Sequence, residues 1–102
     1  MIVTVFRSRL MPGLQDEYVA LVEEVRKEVE KMPGYISHNG FWADDGERVT
    51  IVEFEDEESQ RGWRMNAKHI EAQRLGRQKY YATYDIQVCV LHDAHFKRDA
   101  AK

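Results

Sequence analysis

The segment Trp63–Tyr81, WRMNAKHIEAQRLGRQKYY, gathers tryptophan, asparagine, histidine, glutamine, arginine and tyrosine side chains into one stretch with helical spacing. Met65, His69, Ala72, Gly76 and Tyr80 recur at steps of three or four, so a helix here carries a stripe of mixed apolar, small and polar groups. A stripe serving only a core would be more uniformly apolar. The chemistry available is that of an imidazole, which changes charge near pH 6.5, beside aromatic walls and neutral hydrogen-bond donors. His69 therefore has two readings. It is a half-buried histidine satisfied by the backbone, with Trp63 and Ile70 as core anchors, or it is a proton-transfer group.

The elements that must position this segment are legible from periodicity and punctuation. Ile2–Leu10 is rich in Val, Ile, Thr and Phe and ends at Met11-Pro12-Gly13, which predicts a strand. Leu14, Tyr18, Leu21, Val22, Val25, Val29 and Met32 then follow a helical period that Pro33-Gly34 stops. Tyr35–Ala43 and Arg48–Glu55 are strand-like and flank Asp44-Asp45-Gly46-Glu47, whose Asp-Gly step suits a tight hairpin turn. The acidic run Asp56–Glu58 favours a helix start through the dipole, and Ser59 to about Lys79 carries the second helical pattern, weakened near Asn66 or Gly76. A last strand is expected over Tyr81–Leu91. The order βαββαβ points to an α+β, ferredoxin-like sandwich in one domain, 1–91, with 92–102 as a tail.

Two helices cover one face of such a sheet, yet the strands are apolar on both. Val3 and Val5 oppose Ile2 and Phe6, Val52 and Phe54 oppose Val49 and Ile51, and Cys89 and Leu91 oppose Val88 and Val90. The second face is therefore expected to meet a copy of itself, giving a homodimer through the sheet.

Composition narrows the classes further. The chain has 102 residues, 15 Lys plus Arg against 18 Asp plus Glu, and a net charge of -3. No basic stripe suggests nucleic acid. No stretch approaches the roughly 20 apolar residues that span a bilayer, and the N-terminus has the wrong order for a signal peptide, so a soluble cytoplasmic protein is expected. The single Cys89 lies within IQVCVL and reads as a small buried hydrophobe rather than a nucleophile. Phosphate-loop, Rossmann, CxxC and HExxH patterns are absent. His92-Asp93-Ala94-His95 has metal-ligand character but falls in the tail, so no designed metal site is read there.

The PGY after the first helix, the hairpin leading into VTIVEFEDEES, and Trp63 followed by Lys68-His69 and AQRLGRQKYY resemble the antibiotic biosynthesis monooxygenase superfamily of dimeric α+β barrels, over Met1 to about Leu91. The resemblance implies sheet-paired ferredoxin-like subunits with a pocket between sheet and helices. It also implies activities that include quinol and polyketide monooxygenation without metal or flavin, haem degradation, and none known. The haem-degrading branch needs a first-strand Asn and a His ten residues after the tryptophan. Here those places hold Phe6 or Arg7 and Gln73, which disfavours haem because an amide cannot replace an axial imidazole.

Cofactor-free oxygenation of a small aromatic, quinol or polyketide-like metabolite requires a base, oxyanion donors and a dry aromatic wall. His69, matching the superfamily's histidine after the tryptophan, is the candidate for proton transfer. Trp63 is a candidate wall, Asn66 a donor, and Tyr80, Tyr81 or Tyr84 walls or phenolic donors. His38 and Trp42 share a face of the second strand and could close the pocket, or serve as a solvated histidine and a dimer anchor. Arg77 beside the tyrosine pair could orient a carboxylate. The alternative from another class is a non-catalytic dimeric module binding a small hydrophobic ligand.

Overall fold

A computed structural model describes residues 1–96; Lys97, Arg98, Lys102 and the rest of the expected tail from 97 onward lie outside the described residues. The elements are β1 (Ile2–Leu10), α1 (Gln15–Val29), β2 (Tyr35–Trp42), β3 (Arg48–Phe54), α2 (Glu57–Arg64), α3 (Ala67–Leu75), a π turn at Gly76–Tyr80, and β4 (Tyr81–Val90). The strands form one antiparallel sheet in the order β2-β3-β1-β4, with the helices on one side. This is the ferredoxin-like α+β arrangement that the order of patterns predicts.

Strand parity decides which residues meet the helices. In β3 the even positions Arg48, Thr50, Val52 and Phe54 are buried beneath them, while Val49, Ile51 and Glu53 face the other way. Register carries the same parity into β1 and β4, so Thr4, Phe6 and Ser8 lie on the helix side with Tyr84, Ile86 and Val88. Tyr18, Val22, Val25 and Val29 form the buried edge of α1. They join Val52, Phe54, Trp63 and Tyr80 in two adjoining clusters that make up the core.

Where one helix was expected over Ser59 to about Lys79, two helices and a π turn occur. Asp56 starts α2, its Oδ1 accepting from the Ser59 amide at 2.8 Å. The chain then breaks at Met65-Asn66, because the Asn66 side chain competes for the backbone. Its Oδ1 accepts from the amides of Lys68 and His69 at 2.9 and 3.2 Å, which starts α3. Both interruptions fall where Asn66 and Gly76 weaken the helical pattern. Gly34, at φ 77°, lets the β2 entrance pass close to α2, since a β-carbon there would lie 2.1 Å from Ser59 Oγ.

The helices leave β4 largely uncovered. Its helix-side residues Tyr84, Ile86 and Val88 are 48%, 42% and 52% exposed. On the opposite face Val3, Val5, Val49 and Ile51 form an apolar centre, with Val5 paired to Ile51 and Val3 to Cys89. Charged pairs Arg7–Glu47 and Arg9–Asp45 border it at the hairpin end. Cys89 belongs to this outer face and Val88 to the helix side; Cys89 is exposed in the single chain, not buried as its apolar run predicts, because no layer of the described residues packs on that face. No helix among the described residues is long and apolar enough to cross a membrane.

Candidate active site

A cavity of about 370 Å³ lies between the sheet and the helices. Its floor follows two rows across the strands, His38–Val52–Thr4–Val88 and Thr50–Phe6–Ile86, which parity places beneath α1. Leu21, Val22 and Val25 of α1 form one wall, and Trp63, His69 and Ala72 the other. The lining is mostly apolar, and none of it is Asp or Glu.

His69 and Trp63 act as one unit across the α2–α3 break. Their rings stack with centroids 4.5 Å apart and planes 27° from parallel. The Asn66 cap fixes the His69 backbone, and Nδ1 of His69 is buried without a hydrogen-bond partner among the described residues. Burial lowers its pKa from 6.5 to about 4; the nearby carbonyls of Arg64 and Trp63 oppose the shift, and His38 reinforces it. His38 faces the same space from β2. Burial, then the Arg26 charge, hold it below the ordinary histidine range, and its Nδ1 is also unpartnered. Two neutral imidazoles thus approach the cavity, one from each layer.

The other end is phenolic. Tyr18 and Tyr81 share a hydrogen bond, with their oxygens 3.1 Å apart. Tyr81 packs edge-on against Phe6 at 5.2 Å and beside Tyr84 at 5.6 Å. The π turn delivers Tyr81 to this place, and Gly76 makes room for it: a β-carbon there would lie 2.2 Å from the ring. Burial raises the pKa of both phenols, so both stay protonated.

Of the residues singled out by sequence, Trp63, His69, Tyr81 and His38 converge on the cavity, joined by Tyr84, Gln73 and Arg77. Three others do not line it. Asn66 spends its oxygen on the α3 cap, and its Nδ2 approaches Met32 Sδ at 3.7 Å. Tyr80 is buried against Tyr18 and Val22, on the core side of the turn that sends Tyr81 inward. Trp42 shares the helix-side face with His38 but lies under the Arg48 guanidinium, 4.8 Å from its ring centroid; it is not on the outer face and cannot anchor a dimer there. Tyr18, Thr50 and Gln60 line the cavity without having been singled out. Tyr18 reads in sequence as an ordinary member of the α1 apolar stripe; Thr50 carries a signal, being a polar residue on the buried parity of β3.

The buried histidine gives a pH signature for stability. The unfolded chain protonates His69 near 6.5, while the folded chain resists until about 4. Its contribution is therefore complete above 6.5 and is lost as pH falls through that window, by on the order of 3 kcal/mol. His38 shifts in the same direction. Urea unfolding at pH 7.5 and 4.5 should show a larger acid loss in the wild type than in His69→Phe, which keeps an aromatic stack but cannot titrate. Equal losses would show that the imidazole is hydrated and titrates freely.

Comparison with solved structures gives the same architecture. Rv0793 from Mycobacterium tuberculosis superposes with a TM-score of 0.82 at 14% identity, over 91% of this chain and 96% of that one. SnoaB, a cofactor-independent oxygenase from Streptomyces nogalater, gives 0.78 at 15% identity over 91% and 94%. A conserved protein from Methanosarcina mazei Go1 gives 0.79 at 18% identity over 86% and 89%. Identities this low carry the fold alone. No curated protein matches the chain by sequence. The model of the antibiotic biosynthesis monooxygenase family matches residues 1–75, from β1 through α3 with Trp63 and His69 included, and the chain belongs to that family.

Proposed function

We propose that the cavity is the active site of a cofactor-independent monooxygenase acting on a small aromatic, quinol or polyketide-like molecule. The observation that carries this reading is the neutral imidazole of His69, stacked on Trp63 at the wall of a mostly apolar cavity. With the ring proton on the buried Nδ1, near the carbonyls of Arg64 and Trp63, Nε2 presents a lone pair to a substrate hydroxyl. Proton transfer gives an electron-rich oxyanion, which passes one electron to dioxygen. Recombination forms a C–O bond, and loss of water from the resulting peroxide leaves a quinone. One oxygen atom of dioxygen enters the product and the other departs as water.

The depressed pKa keeps His69 in its basic form throughout the neutral range but makes it a weak base. A substrate oxyanion beside the new imidazolium offsets that weakness, because the pair forms where little water screens it. Trp63 seats the ring system, and Tyr81, at the other end of the cavity, supplies a phenolic donor.

The functional unit in this reading is a homodimer joined through the outer sheet face. Its support is the apolar centre Val3, Val5, Val49 and Ile51 inside a charged border, the usual anatomy of an interface core and rim.

Oxygen uptake by purified, metal-stripped protein against a panel of naphthoquinols and polycyclic phenols tests the activity. Consumption above the autoxidation rate, with quinone formed mole for mole, is expected. Tight binding of the panel with no uptake would replace catalysis by ligand binding.

A further inference from the structure

Arginines in this chain are sorted by place. Arg7, Arg9, Arg26, Arg61 and Arg74 each hold a carboxylate. Among the described residues, Arg48, Arg64 and Arg77 are in no ion pair, and these three are the ones at the cavity: Arg64 and Arg77 line it, and Arg48 stands behind Tyr18. In a chain of net charge -3, a cavity with guanidinium groups and no carboxylate departs from the average surface.

Arg48 is the least ordinary of them. It is 6% exposed, and its Nε has no hydrogen-bond partner among the described residues. Its guanidinium lies between the Trp42 and Tyr18 rings, at 4.8 and 5.9 Å from their centroids. Gly40 clears its place, since a β-carbon there would come within 2.1 Å of Nη2. Next to it the Tyr18–Tyr81 pair uses one hydroxyl hydrogen between the two oxygens. The second has no acceptor among the described residues, because Arg48 and Arg77 can only donate. This end thus has Arg77 in its lining, Arg48 behind Tyr18 and a hydroxyl hydrogen without an acceptor, whereas the far end holds the two neutral imidazoles.

We infer that the phenol end of the cavity is an anion subsite, and that the molecule it takes is an aromatic acid whose carboxylate sits against Tyr18, Tyr81 and Arg77 with Arg48 behind. The inference rests on the reading that this cavity is where the substrate binds. It adds an orientation: the carboxylate points toward Tyr81, and the oxidised ring lies under Trp63 and His69. Arg48 acts through Tyr18, so it is a positioning residue.

Calorimetric binding of 1-naphthoate and its neutral isostere 1-naphthamide tests this directly. Naphthoate should bind about tenfold more tightly or better, the usual worth of a charge-assisted hydrogen bond. Arg77→Gln and Tyr81→Phe should each narrow that preference, weakening naphthoate several-fold more than naphthamide, because only the anion makes charge-assisted bonds there. Trp63→Ala should weaken both ligands. Arg77 is exposed, so its substitution leaves the fold intact and keeps the test decisive if a variant of buried Arg48 does not fold. Equal affinity for the two ligands, or a preference that both substitutions leave unchanged, overturns the subsite while leaving the cavity as a binding site. If neither ligand binds at millimolar concentration, the cavity reading falls and the subsite with it.

Discussion

His69→Ala should lower turnover on a verified substrate by about 10²- to 10⁴-fold, the range for loss of a positioned general base. The pH profile is the sharper measurement. An ordinary histidine would give an acid limb near 6.5, but burial moves the limb of kcat/KM for the free enzyme down to about pH 4. Activity should therefore stay level from neutrality to about pH 5, and His69→Ala should abolish the limb itself. Trp63→Phe keeps an aromatic surface for the stack and should mainly raise KM. Full turnover in His69→Ala would remove the base from this residue. His38, the other neutral imidazole of the cavity lining, would then be the group to substitute.

Ile51→Asp should dissociate the proposed dimer. Ile51 lies at the centre of the outer face opposite Val5, away from the charged border, and an aspartate there would be buried without a partner. The cost is on the order of 2–5 kcal/mol, which raises the dissociation constant by about 30-fold or more. Sedimentation at micromolar concentration should give a dimer for the wild type and a monomer for the variant. Cys89, paired to Val3 on the same face, supplies a second readout: alkylation should be slow in the dimer and fast in the variant. A wild-type chain that sediments as a monomer and alkylates rapidly would leave the apolar face without its proposed partner.

Local rules carried the fold. Alternation in β1 and β3 assigned each side chain to a face, and the Pro33-Gly34 stop and the Asp45-Gly46 turn fixed the connections. The site was legible where a residue type has few uses: Trp63, His69 and Tyr81 met because an aromatic-rich helical segment had to lie against the sheet. It was not legible where one side chain has two competing uses of similar energy. Asn66 could donate into a pocket or cap a helix, and the broken helix decided for the cap. Tyr80 and Tyr81 are adjacent, so only the π turn could settle which of them turns inward. Arg48 follows a turn and looks like a solvated charge. Its parity with Thr50, Val52 and Phe54 was the available sign that it enters the buried layer, where a cation requires a reason.

The uncovered side of β4 bears on which molecules the cavity can sort. Along the layer normal, the helices that roof the cavity limit its height. Along β4, Tyr84, Ile86 and Val88 continue the floor outward and stay about half exposed among the described residues. Selection is thus strict in one dimension and lenient in another. Out-of-plane substituents on a ring should be rejected, whereas additional coplanar rings can run outward over β4, so planarity rather than ring count sets the range of molecules admitted.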